Sequence, residues 1–522
     1  MAEPPLRPPA GSATPDAQAW LRRLAQAPGS LEARLALARA SLAQDDPLTA
    51  TAWLSDACRV APDRQEPATR LAELLLGHRQ FGQARDVYRR LYESLGARDR
   101  STLLHYGFCL EQLGDLDGAV ARYREAATRE PGFLEAHVNL AGVLWRVGEF
   151  DRALDHARAA VQLAPNHPYA VRILGTALLH LNRLEEAELQ LRRALALKPD
   201  FVAAQLDLAF TLLLAGRLQE GWECYERRWN DTARLARPPF FNPALEWRGP
   251  HQPLEGRHLV VYAEQGLGDT LQCLRYVPML QALGARVTVA IQPPLVPLAL
   301  HSFPGVECLT GERGVTADLH AALLDLPGRF GTMLETVPAE VPYLRAPPER
   351  AQAWRARLAP WNDRLKIGIA WCGDLRQVNN RNRAIALSQW QALWQLPGVQ
   401  CFSLQKGDAG RYTDLPVPAD ALVDLTGDWQ DFADSAAMLE QLDLVIAVDT
   451  AVAHLAGALG RPAWVLLPPN PDWRWLLERG DSPWYPGLRL FRRDFGEPPA
   501  AQLARVRDAL QRQLAPTGPS GG

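Results

Sequence analysis

The chain has 522 residues, too many for one ordinary core, and its 47% hydrophobic and 22% charged content is that of a soluble globular protein. A net charge of −3 gives no footing for a nucleic-acid or anionic-membrane surface. Arginines outnumber lysines 53 to 3, a compositional bias that makes Lys198, Lys366 and Lys406 stand out.

Residues 1–18 open with MAEPPLRPPAGSATPD, which has no basic segment followed by an apolar one and therefore no signal-peptide pattern; they are expected to form a disordered tail, as are 516–522. No apolar run approaches the ~18 residues of a membrane helix. The seven cysteines are scattered and lack CxxC spacing. Reduced thiols in a cytoplasmic protein are expected, rather than a zinc site or disulfide frame.

A repeat domain is expected over 19–230. Gly114, Gly148, Asn182 and Gly216 step by 34 residues, as do Ala119, Ala153, Ala187 and Gly221, and Pro131, Pro165 and Pro199. Gly107, Ala141, Gly175 and Ala209 keep a fourth register at the same period. Small residues let paired helices approach closely, and each proline ends the second helix of a pair. The pattern resembles the tetratricopeptide repeat, with about six repeats between 32 and 230, the first two degenerate.

Residues 231–257 break the period with prolines and aromatics and are read as a linker. Short β-rich runs then alternate with helical stretches: 259–263, 286–291, 317–326, 366–371, 400–404, 444–448 and 463–467. This alternation predicts two parallel sheets built from βαβ units, at 258–345 and 365–515, separated by a polar linker at 346–364. Ligands of such sheets bind at the carboxyl ends of their strands.

The first strand ends in EQGLGDT (264–270), a strand-to-helix corner carrying Glu264, Gly266, Gly268 and Asp269. The glycines permit tight geometry and close approach of a ligand. Asp269 is a candidate general base or a helix cap, with Glu264 as a second candidate base. The corner is not a GxGxxG fingerprint, so no dinucleotide cofactor is expected. Further on, DLVIAVDTAVAHLAGALGRP (443–462) runs an apolar strand into Asp449, with Thr450 placed to cap the helix beginning at Ala451 and His454 one turn in. Such a helix start suits a diphosphate, and it also suits an ordinary capped junction.

Asp449, Thr450, Ala453 and His454, followed by Ala456 to Pro462, strongly resemble the C-terminal motif of heptosyltransferase-like (family 9) glycosyltransferases of the GT-B class. GLGD at 266–269 matches the corner in that family's N-terminal lobe. The resemblance covers roughly 258–495. It implies an α-helical tetratricopeptide superhelix followed by an α/β GT-B fold of two Rossmann-like lobes. It also implies a nucleotide-sugar donor in the C-terminal lobe, inversion at the anomeric carbon, no required metal or other cofactor, and Asp269 as the catalytic base. The donor site implied comprises Asp449, Thr450, Ala451 and His454.

Arg376, Arg381 and Arg383 follow a C-terminal strand where the family often carries a basic residue, and bidentate arginine suits phosphate. Gln405 and Lys406, in an S-L-Q-K-G segment that related proteins share, are expected to line the donor site. Among the aromatics at 473–485 a core role is favoured over sugar stacking, with Asp472 and Arg474 the expected contacts. Repeats joined to such lobes resemble protein O-glycosyltransferases, including the bacterial flagellin-modifying type. The expected partners are thus a nucleotide-sugar and a protein or peptide acceptor. The alternatives are a heptosyltransferase-like enzyme acting on a cell-envelope glycan, or a repeat scaffold whose transferase lobe is inactive.

Overall fold

The computed structural model describes residues 15–514, apart from 233–234, 311–315, 408, 417 and 419. The expected tails at 1–18 and 516–522 lie outside these residues, except that a helix already begins at Pro15 (Pro15–Gln26). Twelve α-helices between Leu31 and Tyr225 form six helix pairs, the number the periodicity predicts. The turn inside each pair holds one residue in the left-handed region: Asp45 (φ 57°), Arg79 (57°), Gly114 (82°), Gly148 (87°), Asn182 (59°) and Gly216 (78°). The first two repeats lack the glycine but keep its backbone conformation, which costs a side-chain-bearing residue about 1 kcal/mol. Ala50, Ala84, Ala119, Ala153 and Ala187 have no exposed surface, so the small-residue register is the contact line within pairs. At Gly107 a methyl group would stand 2.7 Å from the Tyr123 ring.

The chain divides into two compact units after Ala177, inside the helix Pro168–His180, while the repeat helices run on to Tyr225, near the expected end of the repeats at 230. The second unit contains the last repeat helices and two fully parallel sheets. Strands β1 (His258–Tyr262), β2 (Arg286–Ala290), β3 (Glu307–Leu309) and β4 (Leu319–Ala322) are ordered 3-2-1-4. Strands β5 (Leu365–Ala370), β6 (Val399–Ser403), β7 (Leu422–Asp424), β8 (Leu444–Val448), β9 (Ala463–Leu467) and β10 (Leu488–Arg492) are ordered 10-9-8-5-6-7. Chain direction across the sheet therefore reverses between β1 and β4 and between β5 and β8, the positions where open parallel sheets place ligands.

The segment 231–257 is more than a tether. Trp247 is fully buried against Phe330, and its backbone amide donates to the His320 carbonyl at 2.8 Å, so the segment packs along β4. The expected inter-lobe linker likewise holds a helix, Pro348–Leu358, which buries Trp354 and ties Arg350 to Asp431 at 2.6 Å. Asp431 caps the helix Phe432–Leu439 by accepting from the Ala433 amide. The last repeat packs on the first sheet's layer, where the Trp222 indole donates to the Thr332 carbonyl at 2.9 Å. It also meets the second sheet's loops, with Trp222 edge-on to Trp473. All seven cysteines are free, and among the described residues no helix is long and apolar enough to cross a membrane.

Candidate functional site

Asp269 sits in the first turn of the helix Leu267–Cys273 that follows β1. Its Oδ2 accepts from the Gly266 amide at 2.9 Å, so it performs the capping role open to it in sequence. Its Oδ1 accepts from Arg474 Nη2 at 2.5 Å. Arg474 also donates to Asp472 Oδ1 at 2.9 Å and to Gln272 Oε1 at 2.5 Å, and its side chain is 8% exposed. Burial opposes the guanidinium charge, but Asp472 and Asp269 outweigh it and hold the group firmly protonated.

The glycine corner is approached closely by the protein's own side chains. A methyl group on Gly268 would lie 2.9 Å from His454 Cδ2 and 3.6 Å from the Ala451 Cα. The helix after β1 thus packs directly on the helix Ala451–Ala458 after β8. Gly266 is exposed, at an ordinary extended φ of −72°.

Thr450 occupies the N-cap position of Ala451–Ala458, but its hydroxyl makes no capping bond. The expected hydroxyl cap is therefore corrected: Thr450 Oγ1 is buried and has no partner. Burial pushes the Asp449 carboxyl up to about 6 against the pull of the Arg383 charge. His454 is buried, stacks on Trp475 with ring centroids 5.4 Å apart, and places Nδ1 3.0 Å from the Tyr485 hydroxyl. Burial, with the charges of Arg474, Arg275 and Arg383, depresses its pKa well below the ordinary value and keeps the ring neutral at pH 7. Its Nε2 stands 3.9 Å from Asp449, beyond hydrogen-bonding range.

Glu264 is committed elsewhere. Its Oε1 accepts from Arg228 Nη2 at 2.6 Å, and Arg228 Nη1 lies 2.6 Å from Asp325 Oδ1. Side-chain exposures of 2–4% make this a buried triad across the carboxyl ends of β1 and β4, where the first sheet reverses. Glu264 Oε2 is buried and unpartnered. Burial, opposed by Arg228 and reinforced by Asp325, pushes the carboxyl up to about 7.

The loops after β5, β6 and β8 leave adjacent parallel strands at one end of the sheet. They use their predicted residues differently. Gln405 Oε1 accepts from the Cys372 amide at 3.0 Å, tying the ends of β5 and β6 together. Lys406 donates to the Trp429 carbonyl. Arg383 packs over the Gly373 backbone, its guanidinium lying where a side chain on that residue would project. Arg381 is half-buried in the short helix Asn380–Arg383, and Arg376 is exposed and paired with Asp374. Trp473, Trp475, Trp484 and Tyr485 are buried, as a core role requires. Arg228 and Gln272 went unseen in sequence because neither lies in a motif. Among the described residues no group of three or more His, Cys, Asp or Glu is placed to hold a metal ion.

Residues 69–133, 110–168, 138–200 and 174–227 match the family model of the tetratricopeptide repeat, and this part of the chain carries such repeats. Over 459 aligned residues the chain is 28% identical to Protein FlbA of Caulobacter vibrioides, covering 82% of this chain and 70% of that protein. The residues before β1 are too few to supply that share, so the likeness extends into the sheets. The chain is 32% identical over 105 residues to the peroxisomal targeting signal receptor of Kluyveromyces lactis, covering 20% of this chain and 19% of that receptor. Among solved structures, YrrB, a TPR protein with an unusual peptide-binding site, aligns at 18% identity and a TM-score of 0.33, covering 36% of this chain and 96% of its own.

Proposed function

We propose that the chain is an inverting, metal-independent glycosyltransferase of GT-B architecture. It moves a sugar from a nucleotide-sugar to a Ser or Thr hydroxyl of a protein docked on the repeats. The observation that carries this reading is the packing of the Asp269 helix directly on Ala451–Ala458, which puts a carboxylate beside a helix start suited to a diphosphate. In the reaction, Asp269 accepts the proton of the acceptor hydroxyl as its oxygen attacks the anomeric carbon. The bond from that carbon to the diphosphate oxygen breaks, and its electron pair leaves with the nucleoside diphosphate. The first amides of Ala451–Ala458 and the unpartnered Thr450 hydroxyl supply donors for that charge. The K. lactis relative, a targeting-signal receptor by name, supports peptide docking on the repeats.

Thermal shift of the full chain with ADP-, UDP-, GDP- and CMP-linked sugars tests the donor, and transfer with and without EDTA tests metal independence. One donor is expected to stabilise the chain, and Asp269→Asn to slow transfer about 100-fold or more. If no sugar nucleotide shifts the melting temperature, the transferase reading fails. Full activity in the Asp269→Asn variant would remove the base assignment alone. A repeat scaffold with a silent lobe is the second reading, favoured by the engagement of both Asp269 oxygens.

A further inference from the structure

Arg474 is presented by unusual backbone. The turn Trp473–Trp475 ends at Leu476 with φ 51° and ψ −165°, a conformation that is essentially glycine-only, and Glu478 is also left-handed at φ 53°. Leu476 is buried, so its surroundings enforce the conformation. Such strain costs of order 1–3 kcal/mol per residue and concentrates where a side chain must be aimed.

The turn aims Arg474 at two carboxylates from different layers: Asp269, beside the first sheet, and Asp472, beside the second. Gln272, from the Asp269 helix, accepts a third bond. For Asp269 this partnership conflicts with proton transfer. Both its oxygens already accept, and Oδ1 faces the guanidinium where an acceptor hydroxyl would have to stand. Yet the same cation sits beside the start of Ala451–Ala458: its neighbour Trp475 stacks on His454, and a methyl group placed on Gly268, next to its partner Asp269, would lie 3.6 Å from the Ala451 Cα. An anion arriving there competes for Arg474.

We propose that Arg474 is a shared cation. It pairs with Asp269 while the donor site is empty, and it turns to the donor's diphosphate when that site fills, freeing Asp269 Oδ1 for the acceptor hydroxyl. The base is thereby released only when a sugar is in place to be attacked. This inference rests on the donor-site reading above. It assigns Arg474 two successive partners, with Asp472 holding the guanidinium in position during the exchange.

Isothermal titration of the full chain with inorganic pyrophosphate, ADP, UDP and GDP compares the wild type, Asp269→Asn, Arg474→Gln and the double variant. Asp269→Asn removes the competitor and should tighten anion binding about tenfold, whereas Arg474→Gln should weaken it about tenfold. In the Arg474→Gln background, Asp269→Asn should have no further effect. If Asp269→Asn tightens binding equally with and without Arg474, the effect is simple charge removal and the shared cation is refuted. An unchanged affinity in Asp269→Asn also refutes it, while leaving the donor site standing. Absence of binding by every probe to both the wild type and Asp269→Asn overturns the donor site and this inference together. If Arg474→Gln does not fold, Arg474→Lys replaces it: a single ammonium cannot span both carboxylates, so the tenfold Asp269→Asn effect should fall below about threefold.

Discussion

Replacing Glu264 by glutamine removes one buried titration while leaving the shape of the side chain intact. Glu264 is 2% exposed at its side chain and shares Arg228 with Asp325, so the ionised triad carries one negative charge more than it can neutralise. Burial, opposed by Arg228 and reinforced by Asp325, moves the carboxyl from 4.5 to about 7. An acid held above its unfolded value contributes stability while protonated. The contribution is complete below about pH 4.5 and is lost as pH rises through about 7. The displacement corresponds to about 3 kcal/mol. Glutamine copies the protonated state, with an amide nitrogen where Oε2 carries its proton, and does not titrate. Urea unfolding followed by tryptophan emission, run at fixed pH values from 5 to 8.5, compares the two proteins. The stability of Glu264→Gln relative to wild type should rise by about 2–3 kcal/mol between pH 5 and pH 8, chiefly because the wild type declines. A difference that does not change with pH would refute the reasoning, and so would a wild type that gains on the variant. If Asp269 is the base, the variant also keeps its transferase activity.

Arg228→Met leaves two buried carboxylates facing each other without their cation and should cost about 3–5 kcal/mol at pH 7.5, less at pH 5, by the same unfolding measurement. Gly268→Ala drives a methyl group to within 2.9 Å of a histidine ring that cannot retreat from Trp475; it should destabilise by about 1–3 kcal/mol. Arg79→Gly relieves left-handed backbone at an exposed turn and should stabilise the first unit by up to about 1 kcal/mol, read by thermal unfolding. Asn182 donates to the Pro469 carbonyl at 2.8 Å from left-handed backbone, so Asn182→Gly should cost about 1 kcal/mol and Asn182→Ala about 2.

Asn182 also shows how far a periodic sequence can be read. Its place in the glycine register follows from spacing alone, because asparagine tolerates the same backbone. Its reach to Pro469, 287 residues on, has no local signature. The repeats were legible because each short turn must repeat the same dihedral constraint. The central strands were legible because strands covered on both faces are continuous apolar runs. Strands β3 and β7 are three residues long at sheet edges, and β10 reads LRLFR, with Arg489 lying over Trp464 and Phe491. None of these carries an apolar run to find.

The candidate site divides along the same physical line. Asp269, Gly268, Asp449 and Thr450 are set by strand-to-helix corners, whose residue preferences are local, so the corners themselves are legible in the chain. What each corner meets is not local. Gly268 signals that something comes close, and its surroundings decide what: here the His454 ring stands where a side chain would project. Glu264 and Asp269 are five residues apart and chemically alike, yet Arg228 claims one and Arg474 the other. The former is sealed at 2% exposure, while the latter is 23% exposed and held by a cation on a strained turn. A base must meet its acceptor and must lose its counter-ion at the moment of use. Of the two carboxylates only Asp269 is open enough to meet an acceptor, and its counter-ion, Arg474, lies 205 residues away in the chain, so the proposed exchange turns on a contact with no local signature.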